Sequence, residues 1–303
     1  MSPGWRPPKG AAVTNEGAEF LRAWHARFPG STSAAFFPGR IVDDGRSSYA
    51  MLVDDVADLP DAKTVVDLGC GDGKLLELLA EQRPQLQLIG IDTSPEELAL
   101  ARVRNLPENV RLVEADAAAM PLDDASADAA VCHMALMLFD NVSRVVAELA
   151  RVIRPNGLFA AVLGPAPGNS ELVAWYGARL HEAEALENLA ALRVGDPATN
   201  EAKSLRALFT ADEWSEVRVD ELRLQFPGPD EQIRTLLLSM YNIARLSGNG
   251  RTALAQRLDD ELAKRRKACE SVDCVLGLRH IVARRAPKFP ASRKLRLERE
   301  TRK

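Results

Sequence analysis

Asp67, Asp92 and Asp116 each follow a short apolar run, and a glycine-rich loop, Gly69-Cys70-Gly71-Asp72-Gly73, lies just beyond the first of them. Glycine is needed where the backbone takes a positive φ or where a ligand approaches main chain closely. The first amides of a helix after such a loop face the ligand with unpaired N–H groups. A strand–loop–helix turn of this kind can serve several nucleotides, NAD and FAD among them. Two features narrow the chemistry. The glycines alternate as Gly69-x-Gly71-x-Gly73 instead of following the G-x-G-x-x-G dinucleotide spacing. Asp67 and Asp72 flank them, which disfavours a pyrophosphate and tolerates a cation. Asp92, twenty-one residues after Gly71, can accept both hydroxyls of a ribose, and Asp116 can take an adenine amino group. His133, at the end of a fourth run, reads either as a base or substrate contact or as a side chain packed beside the ligand.

The elements that must position these groups alternate strand and helix. Strands are expected at 65–68, 87–91, 110–114, 128–132 and 157–163, with helices over 74–82, 93–105 and 142–153. Thr93-Ser94-Pro95-Glu96-Glu97 is a strong helix start, with a capping hydroxyl, a proline in the first turn and acids near the positive end of the dipole. Such alternation predicts a parallel sheet covered by helices on both faces.

In this order and spacing the glycine loop, Asp92 and Asp116 resemble the class I S-adenosylmethionine-dependent methyltransferases, in the group that includes the ubiquinone/menaquinone and small-molecule enzymes. The resemblance is close over residues 63–166 and loose elsewhere. It implies an α/β, Rossmann-like sheet of seven mostly parallel strands with helices on both faces, plus a helical lid. It also implies S-adenosylmethionine as cofactor, with S-adenosylhomocysteine as product. Asp67 and the loop would hold the methionine end, Asp92 the ribose, and Asp116 with Ala117 the adenine. The cofactor-binding set is then Asp67, Gly69, Cys70, Gly71, Gly73, Asp92, Thr93, Asp116, Ala117 and His133. His133 is also the catalytic candidate, because the positions near Met137 and Leu138, where many relatives carry a histidine pair, cannot take a proton here. Tyr49, Trp175, Tyr176 and Tyr241 are the substrate-binding candidates, each with core packing as the competing reading; His181 and Asn242 are weaker ones.

Around that core the chain divides into five parts: residues 1–62 form an N-terminal helical cap with a disordered start, 63–168 the cofactor core, 169–275 helical insertions with a sixth strand near 217–226, 276–286 the closing antiparallel strand, and 287–303 a basic disordered tail. Helices are expected at 16–28, from Ser47 or Ser48 through Val56, at 170–192, 204–209, 230–246 and 251–267, and the segment 36–44 reads as a loop.

With 303 residues and a net charge of −4, the chain as a whole is not an electrostatic nucleic-acid binder. The signatures of enzymes that methylate bases are absent, which also argues against a nucleic-acid substrate. Cys70, Cys132, Cys269 and Cys274 form no metal pattern. No signal segment opens the chain and no apolar run approaches membrane-spanning length, so a cytoplasmic monomer or homodimer acting on a small molecule is expected. The favoured reading is methyl transfer to O, N or C of a small organic molecule in bacterial secondary or cofactor metabolism. A non-catalytic cofactor-binding regulator, or an RNA- or protein-directed enzyme using the basic tail, are the rival readings. An NAD-linked oxidoreductase is disfavoured by the glycine spacing.

Overall fold

The computed structural model describes residues 16–268 and 272–287. The expected disordered start, Cys269 and the expected basic tail beyond 287 lie outside the described residues. In chain order come α1 (Glu16–Arg27), α2 (Ser31–Phe36), β1 (Arg40–Ile41), α3 (Ser48–Ala57), β2 (Thr64–Leu68), α4 (Lys74–Gln82), β3 (Gln87–Asp92), α5 (Pro95–Val103), β4 (Val110–Glu114), β5 (Ala127–His133), α6 (Val142–Val152), β6 (Ile153–Leu163), α7 (Glu171–Leu186), α8 (Ala202–Ala207), β7 (Trp214–Gln225), α9 (Asp230–Leu238), α10 (Gly248–Lys267) and β8 (Val275–Arg285).

The strands form one sheet in the order β1-β7-β8-β6-β5-β2-β3-β4. The five from β6 to β4 run parallel, and β8 enters antiparallel between β6 and β7. The Rossmann-like α/β reading therefore holds. The sheet has eight strands where seven were expected, because β1 pairs Arg40 with Gln225 and Ile41 with Leu224 at the outer edge of β7. Its residues fall in the stretch that reads as a loop, and nothing within a two-residue run announces pairing with a strand so distant in sequence.

Parallel strands covered on both faces become continuously apolar, and β5 and β6 are buried along most of their lengths. On one face α3 and α4 share an apolar cluster with α7, α9 and α10; on the other α6 packs with Leu205, Phe209 and Trp214. Buried leucines such as Leu52, Leu76, Leu79 and Leu149 each contribute about 1.5–3 kcal/mol by leaving water. The helix starts follow their caps: Ser47 accepts from the Ala50 amide and Ser94 from the Glu97 amide. Local pattern overreached at α9. The expected helix over 230–246 stops at Leu238, and Tyr241–Arg245 forms a separate 3-10 turn.

In this topology β3 and β4 lie on one side of β2 while β5 and β6 lie on the other. A crevice opens at such a reversal, outside the carboxyl ends of the strands. Asp67, the glycine loop, Asp92 and His133 all stand at those ends of β2, β3 and β5.

Candidate active site

A cavity of about 570 Å³ occupies the crevice. Among the expected residues Asp67, Gly69, Cys70, Gly71, Asp92, Thr93, Asp116, Ala117, His133, Tyr49 and Tyr241 line it. Gly73 does not. It is the residue before α4, at φ +78°, and a Cβ there would stand 3.2 Å from that of Ala101. Its place is helix packing rather than ligand contact.

Asp67 is 1% exposed and its Oδ2 has no hydrogen-bond partner. Burial, then the negative charges of Asp92 and Asp72, push its carboxyl well above the usual range. Asp92 is held from two sides, its Oδ2 accepting from the Gly71 amide and its Oδ1 from the Ser94 amide, each at 2.9 Å. These bonds fix the carboxylate and leave lone pairs over the cavity. Burial raises its pKa despite both amides. Asp116 is exposed at the rim, with Oδ1 accepting from the Ala118 amide at 2.8 Å.

The latch that covers this cavity has no local sequence signal. Glu97, in the first turn of α5, is 3% exposed. Its Oε1 lies 2.9 Å from Nδ1 of His25 on α1, and its Oε2 accepts from the Gly30 amide at 2.9 Å. The Ser33 hydroxyl of α2 donates to Asp72 at 2.6 Å, and Arg104 pairs with the same carboxylate. The N-terminal segment is thus pinned to the glycine loop and to α5. Glu97 carried only its helix-dipole signal in the sequence, because its partners lie about 70 residues away.

His133 is not set up as a base, which corrects one expectation. Its Nε2 is 2.9 Å from the Ser48 hydroxyl, and Tyr49 stacks on the ring with centroids 3.7 Å apart. Burial lowers its pKa to about 3, so the neutral ring is a poor proton acceptor near neutral pH. A histidine with this depressed folded value resists protonation that the unfolded chain accepts below about pH 6.5. Its contribution to stability is therefore present above pH 6.5 and is lost as pH falls from there towards 3. His133→Gln should flatten the fall in unfolding free energy across that window, as read from urea titrations at stepped pH; an unchanged slope would contradict the buried neutral ring.

A second cavity of about 450 Å³ adjoins the first and shares Thr32, Met134, Leu138 and Tyr241 with it. Met134 sits at the junction with φ +55°, a conformation that costs a non-glycine residue about 1–3 kcal/mol and persists only where its surroundings enforce it. Tyr176 and Asn242 line the second cavity. Tyr241 reaches both, packed edge-on against Trp24 with centroids 4.5 Å apart, and burial lifts its phenol to about 12. Two of the expected contacts line neither cavity. Trp175 lines neither cavity and packs half-buried against the core. His181 is exposed beside Glu184. Tyr49 faces the first cavity only. Among the described residues no cluster of three or more His, Cys, Asp or Glu is arranged to hold a metal, and no helix is long and apolar enough to cross a membrane.

The first cavity fits a cationic nucleoside ligand by two observations: a buried carboxylate oxygen with no partner, and a loop whose close main chain leaves room only for glycine at position 69. A Cβ there would stand 2.4 Å from that of Ala135.

Residues 66–161 match the family described as a methyltransferase domain. Over 109 residues the chain is 35% identical to a demethylmenaquinone methyltransferase of Thermus thermophilus, covering 35% of this chain and 49% of that one. Over 106 residues it is 40% identical to a trans-aconitate 2-methyltransferase of Azoarcus sp., covering 34% of this chain and 39% of that one. The chain thus spans about half the length, or less, of these relatives. Among solved structures it is similar to a Haemonchus contortus phosphoethanolamine N-methyltransferase in complex with S-adenosyl-L-methionine, at TM-score 0.54 and 15% identity over 93% of this chain and 61% of that one. It is also similar to a cyclase, SpnF, at TM-score 0.52 and 20% identity over 88% of this chain and 96% of that one. At such identities the likeness is one of fold, and this fold hosts more than one chemistry.

Proposed function

We propose that this chain, whose residues 66–161 form a class I S-adenosylmethionine-dependent methyltransferase domain, methylates a small organic acceptor held in the second cavity. The observation that carries the proposal is the continuity of two unlike spaces. An acid-lined cavity with a partnerless carboxylate adjoins, at Thr32, Met134, Leu138 and Tyr241, a smaller apolar one.

S-adenosylmethionine supplies an activated methyl group when bound, so the protein's task is binding, alignment and exclusion of water. In this reading Asp67 faces the positive end of the cofactor, and Asp92, already oriented by the Gly71 and Ser94 amides, accepts from the ribose. Asp116 and Ala117 border the adenine. The Glu97 latch to His25 and Gly30 keeps α1 and α2 over the site and limits water entry. His133 shapes the floor as a neutral ring. Among the described residues no aspartate, glutamate or histidine lines the second cavity, which favours an acceptor that is a nucleophile in its own right. A cytoplasmic role in bacterial secondary or cofactor metabolism belongs to the same proposal and leans on the named relatives.

Calorimetry tests the reading. S-adenosylhomocysteine should bind the purified chain, and NAD should not; NAD binding without S-adenosylhomocysteine binding would refute it. Asp92→Ala should weaken S-adenosylhomocysteine by about 1–3 kcal/mol, because ribose hydroxyls and two loop amides lose their acceptor. Undiminished affinity would remove Asp92 from the ribose role.

A further inference from the structure

The second cavity has a composition unlike the first. Its lining includes Asp, Glu, Lys, Arg and His nowhere among the described residues, whereas eleven such side chains border the first. Its walls come from Phe36, Met137, Val173, Leu180, Leu236 and Leu278, with asparagines at 169, 200 and 242 as the main polar groups. A carboxylate or phosphate taken into such walls would lose its hydration with no cation to replace it. A neutral apolar body would lose nothing and gain by leaving water.

One residue on that wall is not explained by packing among the described residues. Gly177 lies in the interior of α7. A mid-helix glycine is less stabilising than alanine. Glycine is usually kept in a helix where another element presses against it, yet a Cβ at Gly177 would meet nothing within 4 Å. The position also borders the second cavity. Gly177 is itself exposed, so the missing side chain leaves open space beside the cavity that no described neighbour fills. Gly277, on the same wall, is the contrast: a Cβ there would lie 2.1 Å from the Pro167 carbonyl oxygen, so packing alone accounts for it.

We propose that the second cavity takes an uncharged, mainly apolar acceptor, and that Gly177 sets its specificity by leaving room for the body of that molecule. The inference rests on the proposed methyl transfer for the word acceptor, but its binding content is separable. Four cavity residues are common to both spaces, so a molecule seated here abuts the cofactor cavity. The asparagine amides can hold one or two carbonyl or hydroxyl groups of the ligand. That favours a quinone- or ketone-bearing apolar molecule over a polyacid.

The test uses the full chain and the neutral dye Nile red as probe. Wild type should bind the dye with a blue-shifted, enhanced emission. Neutral 2-methyl-1,4-naphthoquinone should displace it, and trans-aconitate, a tricarboxylate, should not. Gly177→Phe should weaken dye binding about tenfold or more, the scale set by bulk added to an apolar pocket, while S-adenosylhomocysteine binds as in wild type. Gly177→Ala, which adds one methyl group and favours the helix, should stay near wild type in both. Displacement by trans-aconitate, failure of the naphthoquinone, or a dye affinity indifferent to Gly177→Phe overturns the proposal. Loss of S-adenosylhomocysteine binding with the dye pattern intact strikes the methyltransferase reading instead and leaves the apolar chamber standing.

Discussion

Replacing Gly69 by valine should abolish binding of S-adenosylhomocysteine, with a loss of about a hundredfold or more by calorimetry. Two costs combine. Gly69 holds φ +70°, a region that a β-branched residue enters only at a penalty of about 1–3 kcal/mol or more. A Cβ at this position would also stand 2.4 Å from the Cβ of Ala135, a separation that no side-chain rotation relieves. The loop cannot drift to make room, because the amides of Gly69 and Cys70 both bond the Ile91 carbonyl, at 2.7 and 3.0 Å. Moving it therefore breaks the link between the tips of β2 and β3 and shifts the Gly71 amide away from Asp92. Gly45→Ala is the control. Gly45 has φ +73° with open space around its Cβ position, so it carries the conformational penalty alone. That variant should lose about 1–2 kcal/mol of stability and keep wild-type affinity. Equal binding losses in the two variants would mean that general destabilisation, not the loop at β2, is being read.

Those loop glycines were legible because their signal is local. So were the caps at Ser47 and Ser94, the parallel strands with their apolar runs, and the acid at the end of β3. Each depends on residues within one turn or one strand of each other. What stayed hidden depends on distant partners. β1 exists only because Gln225 and Leu224 offer it an edge. The break after Leu238 goes against a helical pattern that continues past it; the 3-10 turn that replaces the helix carries Tyr241 onto Trp24 and into both cavities. Glu97 reads as an ordinary first-turn acid, because its two partners, His25 and Gly30, lie about 70 residues away. Conversely, the chemistry of an aromatic residue does not say which face of its helix turns inward. Tyr176 faces the second cavity, and Trp175, one residue away and about 100° round the helix, does not.

Asp67→Asn should make the ligand-free protein more stable and the liganded protein weaker. The carboxylate is 1% exposed, has one oxygen without a partner, and faces Asp92 and Asp72. Its folded pKa is raised above the unfolded value, so the native state holds the proton more tightly. Stability is then full below the ordinary carboxylate range and falls as pH rises through the raised folded value. Asparagine has no charge to desolvate and no like charges to repel, so that decline should disappear. At pH 8 the gain should be about 1–3 kcal/mol, seen as a thermal midpoint a few degrees higher. Binding should move the other way. A ligand cation that loses a charged acceptor in a buried site gives up about 1.5–3 kcal/mol, roughly ten- to a hundredfold in affinity. The two opposed shifts discriminate between explanations. A carboxylate kept for packing would destabilise on replacement and leave S-adenosylmethionine affinity alone. A carboxylate kept for the ligand holds a strained apo site and is relieved only when the cation arrives. A variant that is less stable at pH 8 and binds as well as wild type would refute the assignment of Asp67 to the cofactor.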